Sequence, residues 1–234
     1  MEQQTLKITS VLSDPTRFSI YQFVTKRHGD VTVQEIADQF NIHANVARLH
    51  LTKLEDVNMV VSETKKTGKG GRPSRFYRLS DEVVSLQFPY RDYQRLADMC
   101  LETLASFGEE GKEALKKIGY RFGKETAQTF LLRLNRNLED LQDEEKVKYI
   151  ENIATNQGLN PEISYNKEER QVSFKIFNCT FKEVIQNHSV VLCSLHYSLL
   201  LGIFEYFFGQ VILKEEQSMK DRDCIACSYT TIIL

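Results

Sequence analysis

Residues 31–80 constrain the fold more than any other stretch. They read VTVQEIADQF, NIHANVARLHLTKLEDVNMV and VSETKKTGKGGRPSRFYRLS, which predicts a short helix, a turn, a second helix and two strands. In the second helix Ala47, His50, Leu51 and Leu54 recur at 3.6-residue spacing and can face a core. Ala44, Asn45, Arg48, Leu49 and Thr52 then fall on the opposite face, near its N-terminal half. A helix that offers an amide and a guanidinium on one face suits a major groove, where Asn pairs with adenine and Arg with guanine.

The segment joining the two strands carries Lys65, Lys66, Lys69, Arg72, Arg75 and Arg78 with no Asp or Glu among them. Gly68, Gly70 and Gly71 allow tight turns, and Pro73 fixes φ before the chain returns. A basic hairpin beside a groove-reading helix places cations where phosphates would lie. The expected DNA-contacting residues are therefore His43, Ala44, Asn45, Arg48, Leu49, Thr52, Lys65, Lys66, Lys69, Arg72 and Arg75. A solvated hairpin is the bland alternative for the basic loop taken alone.

With 234 residues the chain can form two domains, each with a real core. Its net charge of −2 supplies no global attraction to nucleic acid, so DNA affinity must come from the local basic cluster. The most apolar stretch, residues 197–208, is interrupted by Ser198, Gly202 and Glu205, so no membrane span is expected. MEQQTLK has no secretory character, and a cytoplasmic location is expected. Cysteines in a reduced compartment point to metal or redox chemistry before disulfides.

In chain order, residues 5–12 predict a first helix. Ser13-Asp14-Pro15 then caps a second that runs to Lys26, and Thr32 caps a third over residues 33–40. Arg17 is expected to be a surface or capping charge. Residues 82–90 form a connector, and residues 91–107 a helix with Tyr93, Leu96, Ala97, Cys100, Leu101 and Leu104 on its stripe, where Cys100 would be a buried thiol. Residues 109–134 continue as helix, with Gly119 and Gly123 spaced for close helix approach. Further on, strands are expected over 162–165, 171–177, 211–217 and 228–234, with helices over 181–186 and 189–208. The fold class is α+β. Residues 1–82 form a DNA-binding domain, 83–108 a connector with a dimerisation helix, and 109–234 an α+β cysteine-containing sensor domain.

The blocks LSDPTRFSIYQFV, VTVQEIADQFNIHANVARLHLTKLEDVNMV and GGRPSRFYRLS resemble the winged helix-turn-helix of arsenical-resistance-repressor-type bacterial regulators. The resemblance covers roughly the first third of the chain. It implies that the helix beginning near His43 is the recognition helix, that residues 65–75 are the wing, and that the protein is a homodimer on a double-stranded DNA operator.

Cys179, Cys193, Cys224 and Cys227 fall late in the chain, with His196 three positions after Cys193. At that spacing Cys193 and His196 share a helix face, and Cys224 and Cys227 form a Cys-x-x-Cys pair. Thiolates and imidazole suit zinc or an iron–sulfur cluster. The stretch NCTFKEVIQNHSVVLCSLHYSLLLGIFEYFFG, with the later CIACSY, is similar to the C-terminal domain of cysteine-bearing winged-helix regulators. These include the repressors of iron–sulfur-cluster assembly genes, and the domain also looks like the vinyl-4-reductase-type small-ligand domain. The resemblance implies an iron–sulfur cluster on Cys179, Cys193 and a late cysteine, Cys227, with Cys224 as an additional thiol. Thr180 stands where proline is usual, and Ser218 where some relatives carry another Cys.

The reading that follows is a regulator, acting as a repressor, whose DNA affinity changes with cluster occupancy. Zinc, thiol-redox or small-molecule sensing is the alternative, with Phe204, Tyr206, Phe207 and Phe208 as candidates to line an apolar pocket, although at helical spacing such a run is more often plain core. A Cys193–His196 enzyme is a weaker reading, because no acidic orienter or oxyanion-hole motif accompanies the pair. No enzymatic activity is expected.

Overall fold

The computed structural model describes residues 2–65, 74–221 and 224–234, apart from the side chains of residue 2 and residues 185–190. The chain divides into two compact units, Met1–Arg91 and Asp92–Leu234.

The first unit contains helices α1 (Glu2–Leu12), α2 (Pro15–Lys26), α3 (Val33–Phe40) and α4 (Ala44–Glu55), with strands β1 (Val31–Thr32), β2 (Val60–Lys65) and β3 (Ser74–Leu79). Each helix start has a local cause. Asp14 accepts from the Arg17 amide at 2.8 Å, and Pro15 supplies a pre-set φ at the first helical position. Thr32 and Glu35 form a capping box, with the Thr32 amide donating to Glu35 at 2.7 Å and the Glu35 amide to Thr32 Oγ1 at 3.2 Å. Those bonds hold the Glu35 carboxyl below its usual range. Asn41 ends α3 in the left-handed region (φ 51°), which turns the chain at once into α4. Ile20, Val24, Ile36, Ala47, Leu51, Leu54 and Tyr77 form the core. Strand order is β1-β3-β2, all antiparallel, with Val31 opposite Tyr77 and Ser62 also opposite Tyr77.

The second unit is a two-layer α+β arrangement, as expected from the sequence. Strands β4 (Pro161–Asn166), β5 (Gln171–Ile176), β6 (Val211–Gln217) and β7 (Cys227–Ile233) form an antiparallel sheet in the order β4-β5-β7-β6. Helices α5 (Tyr93–Ser106), α6 (Glu109–Arg133), α7 (Asp143–Asn156) and α8 (Lys182–Phe208) complete the unit. Val172, Phe174, Ile176, Tyr229 and Ile233 meet Leu200, Ile203, Phe204 and Phe207 of α8 in the core. The helix placed by the sequence in a connector, α5, lies within this unit.

Two expectations change, the division of the last long helix and the burial of Cys100. The two helices expected over 181–186 and 189–208 are one continuous helix, α8, because nothing between them breaks the hydrogen-bond ladder. Cys100 is exposed, as are Tyr93, Leu96 and Met99, whereas Leu101 is buried. The aromatic run of α8 is core: Phe204 and Phe207 are buried, with Tyr206 and Phe208 packed against the same cluster. Val191–Phe208 is also long and apolar enough, by length and composition, to cross a membrane, and here it is a core helix.

Glycine governs how α6 meets α8. A Cβ on Gly119 would lie 2.6 Å from the Leu195 carbonyl oxygen, and one on Gly123 would lie 2.1 Å from that of Leu199. Gly202 of α8 answers from the other side, where a Cβ would stand 2.2 Å from the Tyr120 carbonyl oxygen. The two backbones touch directly, with Tyr120 Oη donating to Glu205 beside the contact. Gly123→Ala forces a methyl into a backbone carbonyl and should destabilise the unit by about 1–3 kcal/mol. Gly29→Ala, where a Cβ meets nothing within 4 Å, is the control, and urea denaturation midpoints compare them.

Candidate nucleic-acid interface and thiol cluster

On α4, Ala47, His50, Leu51 and Leu54 are buried, so the helix has one fixed orientation on its core. Asn45, Arg48 and Leu49 are exposed on the opposite side, Leu49 at 56%, while Ala44 and Thr52 are half-buried. Arg48 Nη1 donates to Asn45 Oδ1 at 3.4 Å, which pairs the guanidinium and amide on one surface. His43 is the N-cap of α4, its Nδ1 accepting from the Asn45 amide at 3.2 Å. Val46 is also exposed on this helix (41%), and the sequence reading passed over it. Val46 and Leu49 are surplus to the core and suit apolar contact with a thymine methyl. The signal was present in the spacing, since Val46 lies one residue before the core position Ala47.

Of the two roles expected for Arg17, surface or capping charge, the structure shows the capping one. Arg17 donates to the Val11 carbonyl at 2.9 Å and through Nε to His50 Nδ1 at 3.5 Å, and it pairs with Asp14 at 3.5 Å. One guanidinium thus ties the end of α1 and the start of α2 to the buried face of α4. Burial lowers the His50 pKa, which keeps its ring a neutral acceptor.

The hairpin cations are not all alike. Lys65 pairs with Asp30 at 2.8 Å and Glu63 at 3.5 Å, and lies over the Phe76 ring. Arg75 is held by Glu55 at 2.9 Å, and Arg78 by Asp81 at 3.1 Å. Lys66, Lys69 and Arg72 lie outside the described residues.

In the second unit three of the expected ligand cysteines converge from three elements. Cys179 follows β5, Cys193 lies on α8 and Cys227 opens β7, and all three are within electrostatic range of one another and of Tyr229. His196 Nδ1 lies 3.9 Å from Cys179 Sγ, so its partner is Cys179 and not Cys193, the neighbour on its own helix. The Phe181 ring meets the imidazole edge-on at 5.4 Å. Cys193 is half-buried, with the charge of the Lys220 ammonium acting on it. Cys227 Sγ accepts from the Met219 amide at 3.3 Å. The Cys224 thiol donates to the Ala226 carbonyl at 3.3 Å.

Burial pushes the Cys179 thiol up to about 11 and His196 down to about 4, so both are neutral near pH 7. Burial raises Cys193 as well, with Lys220 opposing it. Thiols and imidazole are the donors that soft or borderline metals prefer, so the set suits zinc or an iron–sulfur cluster in kind. Among the described residues, however, no group of three or more His, Cys, Asp or Glu side chains is arranged to hold an ion. The thiols must turn toward a common point to ligate one. A groove of about 360 Å³ lined by Phe122, Thr126, Phe130, Arg133 and Asn156 shares no residue with this cluster.

The helix pair, its capped turn and the following strand pair define a helix-turn-helix domain of the kind that regulators use to bind DNA. Residues 12–63 match the family model described as a helix-turn-helix domain, which supports a DNA-binding transcription regulator. No curated protein matches the chain. Among solved structures, one similar chain is a trafficking protein particle complex subunit 3 from Naegleria fowleri covalently bound to palmitic acid. It has a TM-score of 0.43 and 12% identity, over 60% of this chain and 96% of that one. At that score the likeness defines no common fold.

Arg48→Ala should weaken DNA binding about tenfold or more, the loss of one bidentate base contact, with an unchanged melting temperature. For His196 the folded pKa lies below the ordinary 6.5. The unfolded chain therefore binds the extra proton first as pH falls. The stabilising effect is complete above pH 6.5 and is lost as pH drops toward 4, by on the order of 3 kcal/mol. Urea titrations at pH 7 and pH 4.5 should show this loss in the wild type and less of it in His196→Gln.

Proposed function

We propose that the protein is a cytoplasmic, homodimeric repressor that binds double-stranded DNA through α4 and the β2–β3 hairpin. Its second unit responds to an iron–sulfur cluster. The observation that carries the sensor reading is the convergence of Cys179, Cys193 and Cys227 from three separate elements. Those three residues would hold the group. When bound, it supplies a thiolate-ligated centre sensitive to iron and oxidant supply. The chain's own residues prepare the place. Burial keeps the Cys179 and Cys193 thiols protonated and the imidazole neutral until a metal displaces the protons, and Lys220 offsets negative charge at Cys193. The apolar exposed residues of α5, Tyr93, Leu96 and Met99, support pairing of two subunits, since two-fold DNA sites are read by two-fold proteins.

Anaerobic purification followed by a visible spectrum with iron, sulfide and zinc analysis tests the reading. Broad absorbance near ~400 nm with matched iron and sulfide supports it. Stoichiometric zinc in a colourless protein replaces the cluster with a zinc site, and absence of both metals rejects the sensor. Cys193→Ser should abolish the metal response of DNA binding in gel shifts while leaving the circular-dichroism melt largely intact.

A further inference from the structure

The hairpin root is tied to the rest of the first unit on both faces. Residues alternate between faces of a strand, so Ser62, Arg75 and Tyr77 lie on one side and Glu63, Lys65 and Phe76 on the other. On the first side Arg75 Nε donates to Ser62 Oγ at 2.7 Å, and Nη2 donates to both carboxylate oxygens of Glu55 at 2.9 Å. Ser62 Oγ closes the ring by donating to Glu55 at 2.6 Å, and the guanidinium lies over the Tyr77 ring at 5.4 Å. Glu55 is the last residue of α4. On the second side Lys65 reaches Asp30, just before β1.

We infer that Glu55 and Arg75 form a clasp that fixes the wing to the recognition helix, and that Arg75 is a positioning residue and not a phosphate ligand. The inference deepens the DNA-binding reading and rests on it. A phosphate approaching Arg75 meets the Glu55 carboxylate fixed beside it, and the two charges cancel in its field. Three of the guanidinium N–H···O contacts are already made, one from Nε to Ser62 and two from Nη2 to the Glu55 carboxylate, and such charge-assisted bonds are the strong ones. A cation already neutralised by a neighbouring carboxylate releases little counterion on meeting a phosphate, so it adds little to the salt dependence of binding. Its effect on DNA comes instead through the angle between hairpin and helix, which sets whether both reach the duplex together. Its place in a run of basic residues made Arg75 look like a phosphate contact. Glu55, the partner that withdraws it, sits 20 positions earlier in the chain.

The test uses the full chain and a fluorescein-labelled duplex enriched by the wild-type protein from a randomised library, with anisotropy read across a salt series. Arg75→Ala should weaken binding about tenfold while the slope of log Kd against log salt stays at the wild-type value. A slope reduced by about 0.9, the share of one phosphate contact, would overturn the assignment. The charge swap Glu55→Arg with Arg75→Glu should restore binding to within about threefold of wild type. A swap that binds no better than Arg75→Ala rejects the clasp. Circular-dichroism melts confirm that each variant folds. Failure of the wild type to enrich any duplex rejects the DNA-binding reading itself, a result distinct from a changed slope.

Discussion

The second unit depends on one backbone-to-backbone contact, the approach of α6 to α8 through Gly119, Gly123 and Gly202. Side chains normally set helix separation at 8–10 Å and leave room for adjustment. Here the nearest atoms at Gly123 and Gly202 are all backbone, with only Leu195 Cδ1 joining at Gly119, so the spacing is set chiefly by carbonyl oxygens and α-carbons, which cannot change rotamer. Everything packed on the outer face of α8 inherits that position. The sheet residues Phe174 and Tyr229 meet Phe204 and Leu200 because the helix is held at a fixed depth. The cysteine on α8 and those flanking β5 and β7 are brought within range of one another by the same placement. The breaks in the apolar run of α8 have local uses at this contact. Ser198 bonds back to the Ser194 carbonyl at 2.9 Å, Gly202 admits the Tyr120 carbonyl, and Glu205 accepts from Tyr120.

Much of this fold was legible because its signals are local. The capping box at Thr32 and Glu35, the Asp14-Pro15 start and the two-residue alternation of β5 and β6 act within a few positions of the residues they organise. Gly119 and Gly123 announced a close approach, but the sequence did not show which helix would answer, since Gly202 is distant in the chain. The division of the last long helix into two failed for a related reason. Polar residues near 187–189 weaken the apolar pattern without interrupting backbone hydrogen bonding, and pattern is a poorer guide to helix ends than a cap or a proline. Cys100 was assigned to the interior from its stripe, yet a stripe says only that a face is apolar, not that anything within the same chain covers it.

The sites divide along the same line. Asn45, Arg48 and Leu49 were readable because helical geometry alone separates them from Ala47, His50 and Leu51. The withdrawal of Lys65 and Arg75 into ion pairs was not, because Asp30 and Glu55 lie far off in sequence and charge runs carry no record of distant partners. The capping role of Arg17 was readable, but its bond to His50 was not. Arg17 looks like any exposed helix cation until the buried ring of His50 is placed beside it. Among the cysteines, spacing favoured Cys224 with Cys227 and Cys193 with His196. Tertiary structure also groups Cys227 with Cys179 and Cys193 and sets His196 against Cys179.

The imidazole at the head of the recognition helix has a consequence for base preference. To cap α4, His43 must keep a lone pair on Nδ1 for the Asn45 amide, which places the proton of the neutral ring on Nε2. Helix capping therefore chooses the tautomer, and the outward nitrogen is a donor. In the proposed DNA-bound state, a base edge meeting that nitrogen would have to offer an acceptor, such as purine N7, guanine O6 or thymine O4, and not the amino group of adenine or cytosine. A single hydrogen bond made to start a helix thus also fixes the polarity of the one ring nitrogen left at its head.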